Sequence, residues 1–138
     1  MERTRLERMM VRHEGYRQHM YKCTAAKTTI GYGYNLDAGM PEDEAFMLMR
    51  MRLRKTEAEL ATRIPWFTSL VAERQEVLVN MAYQMGVAGL MGFKKALAAM
   101  SRGDWNTAAD EMLDSKWARS DSPNRARELA LVMRTGKF

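Results

Sequence analysis

Residues Thr28-Thr29-Ile30-Gly31-Tyr32-Gly33-Tyr34 alternate β-branched or aromatic side chains with glycine, the pattern of a short twisted strand. The rest of the chain is patterned for helices. Met1 to Tyr21 reads as a helix that is apolar on one side. Pro41-Glu42-Asp43-Glu44 is a strong helix start, with proline in the first turn and three acids toward the positive end of the dipole. Phe46, Met49, Leu53, Leu60 and Ile64 then recur at three- and four-residue steps. Pro65 ends this helix, Thr68 or Ser69 is placed to cap the next, and Val71 through Met85 is nearly apolar. Gly86 and Gly89 break it, and Leu90 to Met100 reads as another helix. Asp104 caps Trp105 to Leu113, and Ser122-Pro123 starts a last helix that runs to about Arg134 before Gly136. About seven helices and one small hairpin or sheet result, an α+β fold that is mostly α.

With 138 residues and 15.9 kDa the chain has room for one main core, with a small lobe beside it. Hydrophobic residues make up 46%, which excludes disorder. A net charge of +5 and a pI near 9.6 suit any polyanion: wall carboxylates, a membrane surface or nucleic acid. No basic block of five or more and no nucleic-acid motif accompanies the charge, so no nucleic-acid role is expected. No run approaches the roughly 20 apolar residues of a membrane span, so stable membrane insertion is not expected either. The charged start, Met1 to Arg8, lacks a signal-peptide stretch, and synthesis in a bacterial cytoplasm is the expectation. One cysteine and two histidines offer no metal spacing, so neither metal nor cofactor is expected, and a monomer is the default. The fourteen methionines fall mostly at core spacing and read as gap fillers. Trp66, Trp105 and Trp117 likewise read as core rather than sugar platforms.

Glu14, Cys23 and Thr29 stand at one spacing: Glu, eight residues, Cys, five residues, Thr. With Glu14 on a helix and Thr29 on a strand, the connection lets the chain double back so that Cys23 and Thr29 face Glu14 across a groove. A carboxylic acid, a second proton-handling group and a hydroxyl arranged in this way can protonate a leaving group and aim a water. A lone cysteine is more often buried filler than a working thiol.

The residues that carry this spacing resemble the bacteriophage lysozymes of the T-even type, glycoside hydrolase family twenty-four. That family sets its Glu, Asp or Cys, and Thr triad in a context matched here by His13-Glu14-Gly15, Tyr21-Lys22 and Thr29-Ile30-Gly31-Tyr32-Gly33. The likeness continues in Asn80-Met81-Ala82-Tyr83-Gln84-Met85-Gly86, Gly92-Phe93, Gly103-Asp104-Trp105, Lys116-Trp117, Pro123-Asn124-Arg125-Ala126 and Met133-Arg134-Thr135-Gly136, in the family's order. The resemblance implies a single lysozyme-like domain over residues 1–138. It comprises a small catalytic lobe at about 12–40, a linking helix at about 41–63, and a helical lobe at about 64–138 packed with helix 1–12.

The implied activity is hydrolysis of the β-1,4 bond between N-acetylmuramic acid and N-acetylglucosamine in bacterial peptidoglycan, after release of the enzyme to the wall. Glu14 is the implied acid, and a general acid of this kind works best where its charge is poorly solvated. Cys23 stands where most of the family carries Asp and helps activate or orient the water, as base, positioner or transient nucleophile. Thr29 holds that water. Asn35, Tyr83 and Gln84 are implied to bind substrate, and Asn80 and Arg125 to support the site, Arg125 by pairing with the catalytic Glu. The segment before the linking helix is short for the family, so a smaller sheet and a more open groove are expected. The chain stops at Gly136-Lys137-Phe138, where Phe138 is the candidate for a missing aromatic anchor. Two alternatives are a non-catalytic peptidoglycan-binding relative and a thiol hydrolase that pairs Cys23 with His13 or His19.

Overall fold

The structure is a computed structural model that describes residues 2–22 and 25–138. Two compact units divide the chain, Met1–Met47 and Leu48–Phe138.

The first unit opens with α1 (Arg5–Glu14), started by a capping box: the Thr4 hydroxyl accepts from the Glu7 N–H while the Glu7 carboxylate accepts from the Thr4 N–H. The Thr4 N–H, and then the Thr4 side chain, hold the Glu7 carboxyl below the usual carboxylate range. The sequence pattern predicts one helix through Tyr21, but α1 ends at Glu14. Gly15, at φ 68°, turns the chain out of the helix while its N–H still reaches the Val11 carbonyl at 2.9 Å. Residues beyond it become β1 (Arg17–Lys22), because their backbone groups find partners in a neighbouring strand rather than in a further helical turn. The predicted strand 28–34 is itself folded back on Gly31-Tyr32-Gly33 into β2 (Thr28–Gly31) and β3 (Tyr34–Asn35). The sheet is antiparallel in the order β1-β2-β3, and β1 carries an irregularity between its Arg17–Gly31 and Tyr21–Thr29 pairs.

Two polar contacts tie this sheet to the chain on its C-terminal side. Asp37 accepts from the Thr28 N–H at 3.0 Å, and the Tyr34 hydroxyl donates to Glu44 at 3.0 Å. Glu44 lies in the first turns of α2 (Glu42–Arg63).

The second unit holds the hydrophobic core. Along α2 the burial is confined to the far end: Leu60 and the following Ile64 are buried, Met49 and Leu53 are half-buried, and Phe46 is exposed. A short 3-10 turn (Phe67–Ser69) leads into α3 (Ala72–Met91). Neither Thr68 nor Ser69 caps α3; its N-cap is Val71, with no side-chain bond. Val77, Leu78, Met81 and Ala82 repeat at one- and three-residue steps on its buried side, and Gly86 breaks the helix at φ 81°. The expected Leu90–Met100 helix is interrupted at Gly92-Phe93, where the chain turns into α4 (Lys94–Ser101). Then come α5 (Trp105–Leu113), capped by Asp104 as expected, a π-type turn (Trp117–Asp121), and α6 (Pro123–Thr135). Hydrogen bonding from the Thr107 side chain, and then from its N–H, holds the Asp104 carboxyl below its ordinary range, so this cap is intact above the usual Asp pKa and lost as acid protonates it.

Alanines 96, 99, 108, 109, 126 and 130 are all buried and let α4, α5 and α6 approach closely. Leu60, Phe67, Leu78, Leu90 and Met112 fill the space between, each worth about 1.5–3 kcal/mol of transfer free energy. The methionine expectation holds for only part of the chain. Met81, Met100, Met112 and Met133 are core fillers, whereas Met9, Met10, Met20, Met40, Met47 and Met51 are exposed. Trp117 is buried, and Trp66 and Trp105 pack against the core.

Phe138 is not an anchor, being 73% exposed. The end of α6 is held by Arg74 instead. Its guanidinium lies 3.8 Å from the centre of the Trp105 ring and donates to the carbonyls of Met133 at 2.9 Å and Arg134 at 3.4 Å. Gly136 closes the helix in the left-handed region at φ 74°, and a Cβ there would stand 3.2 Å from the same guanidinium. Arg74→Ala is expected to cost about 2–4 kcal/mol through the lost charged hydrogen bonds and stacking. Arg74→Lys should recover less than half of that, because an ammonium lacks the planar fork. Urea unfolding of the three proteins measures both values.

Candidate active site

Glu14 is the last residue of α1, and its position there follows from Gly15, which ends the helix directly after it. Its carboxyl group reaches the β2–β3 turn. A Cβ built on Gly33 would fall 2.8 Å from the Glu14 Cδ and nearer still to Oε2. Gly33 also has φ 72°, so both the backbone conformation and the close approach call for glycine here. Glu14 itself is solvent-exposed, in contrast to the poorly solvated setting expected for a general acid, because α1 buries none of its residues.

Thr29 sits at the centre of the sheet and is 4% exposed. It pairs with Tyr21 on one side and Asn35 on the other, so the three residues form one row across β1, β2 and β3. Its hydroxyl donates to the Lys27 carbonyl at 3.0 Å. With the proton committed there, the oxygen is left as an acceptor. Asn35 uses its side-chain oxygen to accept from the Asp37 N–H at 3.0 Å, which closes the turn after β3 and leaves its amide N–H groups to donate. Cys23 lies outside the described residues.

The helical unit places the remaining candidates on α3. Asn80 accepts from Arg125 Nε at 2.8 Å, and its backbone carbonyl lies 3.4 Å from the same guanidinium. Arg125, near the start of α6, is thus fixed on α3 by a neutral partner. Tyr83 is 42% exposed. Gln84 is committed inside the unit at both ends of its amide: Oε1 accepts from the Trp117 indole N–H at 2.9 Å, and Nε2 donates to the Ser122 hydroxyl at 2.7 Å. Its part is therefore to hold Trp117 and the start of α6 beside a cleft of about 460 Å³ that Met85, Phe93, Lys116 and Asp121 also line. The resemblance that implies Gln84 as a substrate residue carries no sign of these two partners, which come from positions 33 and 38 residues away.

Among the described residues no group of three or more His, Cys, Asp or Glu side chains is arranged to hold a metal ion. Nor is any described helix long and apolar enough to cross a membrane.

Comparison with known proteins gives a family for this arrangement. The model of the phage lysozyme family matches residues 11–135. A probable T4-type lysozyme 2 of Dictyostelium discoideum is 26% identical over 161 aligned positions, covering 95% of this chain and 94% of the relative. An endolysin of Acyrthosiphon pisum secondary endosymbiont phage 1 is 25% identical over 116 positions, or 81% of this chain and 76% of the relative. The pre-baseplate central spike protein Gp5 of Enterobacteria phage T4 is 26% identical across 94% of this chain, which corresponds to 28% of that longer protein. Since the family match runs from the last turn of α1 to the end of α6, the chain belongs to the phage lysozyme family and is a lysozyme.

Proposed function

We propose that this lysozyme hydrolyses the β-1,4 bond between N-acetylmuramic acid and N-acetylglucosamine, with Glu14 as the general acid and Cys23 and Thr29 handling the water. The observation that carries the reading is the Glu14 carboxyl lying against the side-chain-free backbone of Gly33, on the sheet whose central position is the buried Thr29. Glu14 gives its proton to the glycosidic oxygen as the bond from that oxygen to the anomeric carbon breaks. Water forms the new bond to that carbon, its surplus proton passes to the surrounding solvent, and solvent returns a proton to the Glu14 carboxylate for the next turnover.

Thr29 can only accept, because its own proton is donated to Lys27, so a water bound there donates one hydrogen to it and turns a lone pair outward. Cys23 is the second group in contact with that water in this reading. A thiol of ordinary pKa is mostly neutral at pH 7, which suits positioning better than full deprotonation of the water.

Asn35, Tyr83 and Gln84 belong to the proposed substrate site, Asn35 through its free amide hydrogens, Tyr83 through its exposed ring and Gln84 by holding Trp117. Asn80 holds Arg125 on α3, and both are supporting residues in the same proposal. Peptidoglycan is the substrate, and action on the wall after release from a bacterial cytoplasm is in keeping with the endolysin among the relatives.

Three variants test the assignment by release of reducing ends from purified peptidoglycan. Glu14→Gln should lower kcat by about 10²-fold or more with the melting temperature preserved. Gly33→Ala should cost about tenfold or more in kcat, because the new methyl group displaces the Glu14 carboxyl, together with about 1–2 kcal/mol of stability for the left-handed turn. Thr29→Val keeps the shape but removes the acceptor, and a kcat loss of about tenfold is expected. Wild-type rates in Glu14→Gln would remove Glu14 from the mechanism.

A further inference from the structure

Tyr16 and Tyr32 are large aromatic residues that stay in water, 61% and 45% exposed. They are not scattered. Their ring centroids are 5.6 Å apart at 53°, so the two side chains form one tilted aromatic surface. The pairing follows the sheet register: Arg17 lies opposite Gly31, and Tyr16 and Tyr32 extend that ladder by one step. A contact that served only to close the ladder would be expected to bury the rings, and these leave about half of their area uncovered.

The position of the pair bears on its use. Tyr16 is two residues from Glu14, and Tyr32 immediately precedes Gly33, the residue on which the Glu14 carboxyl rests. The two rings thus come from the two chain segments that position the carboxyl, Tyr16 from the segment that follows Glu14 and Tyr32 from the turn that holds Gly33. An exposed aromatic face beside a carboxyl suits a ligand with an apolar ring face and hydroxyls at its rim, and a pyranose ring has both. Arg17, whose guanidinium lies 5.0 Å from the centre of the Tyr21 ring, adds a positive charge to the same edge of the sheet.

We propose that Tyr16 and Tyr32 form a sugar-binding platform that stacks a pyranose ring of the glycan strand next to the bond cleaved at Glu14. The platform rests on the reading of Glu14 as the acid of a glycan hydrolase, and it adds two binding residues to that site. It acts on substrate affinity and leaves the chemical step to Glu14.

The test uses soluble, uncrosslinked glycan strands prepared from peptidoglycan. Binding is measured by calorimetry with the full chain carrying Glu14→Gln, and turnover by reducing-end release with Glu14 intact. Tyr16→Leu with Tyr32→Leu keeps apolar bulk and removes the ring faces. Tyr16→Phe with Tyr32→Phe keeps the faces and removes the hydroxyls. The Leu pair should bind strands at least about tenfold more weakly and raise KM with kcat held within about twofold, while the Phe pair should match the parent.

Unchanged binding by the folded Leu pair overturns the platform, and so does an equal loss in the Leu and Phe pairs. A Leu pair that does not melt cooperatively is replaced by the single variants, each expected to weaken binding about threefold or more, and unchanged binding in both singles overturns the proposal in the same way. Failure of the underlying reading looks different: the unsubstituted chain then releases no reducing ends at all, and the platform falls with it.

Discussion

The Glu14 carboxyl lies on the β2–β3 turn because Gly33 has no side chain to keep it away. Almost everything in the first unit serves that approach. Thr4 and Glu7 fix where α1 starts, Gly15 fixes where it stops, and the stop leaves Glu14 as its final residue. The β2–β3 turn is held from its other side by Asp37, which accepts from Thr28 and is itself held by the side chain of Asn35. A short sheet in which Thr29 alone is buried among the described residues has little hydrophobic energy of its own. Its geometry rests on hydrogen bonds and on glycines at positions where other residues would be strained.

The helical unit is built on opposite terms. Its alanines bring α4, α5 and α6 together, and large side chains fill the remaining volume, so its stability is a matter of packing. Polar groups within it act as pins. Arg74 joins the start of α3 to the end of α6 across the Trp105 ring, Gln84 joins α3 to Trp117 and Ser122, and Asn80 joins α3 to Arg125. All three pins leave from α3, the most apolar helix, so this helix both forms the floor of the core and sets the positions of α6 and the preceding turn.

Much of this organisation is legible in the residues themselves. Pro41 with its acids, Asp104, Ser122-Pro123 and Gly136 mark helix ends through local chemistry, and the helices start or stop within a residue or two of them. The illegible parts depend on partners distant in the chain. Arg17 to Tyr21 fits a helical pattern, yet becomes strand because β2 supplies the bonds. Phe138 is the kind of residue that anchors a terminus, and Arg74, sixty residues before the end of α6, does so in its place. For the site, the Glu, Cys and Thr spacing pointed to the stretch of chain in which the Glu14 carboxyl meets the sheet of Thr29. The committed donor of Thr29, the internal bonds of Gln84 and the contact at Gly33 needed coordinates, since none of them leaves a periodic trace.

The central claim is the identity of the bond cleaved. Digestion of purified peptidoglycan, reduction of the products with borohydride and mass analysis of the sugar alcohols reads it directly. The expected result is muramitol at the new chain ends, with no new free amines. New ends carried by glucosaminitol, or free amines without new reducing sugars, would contradict the account.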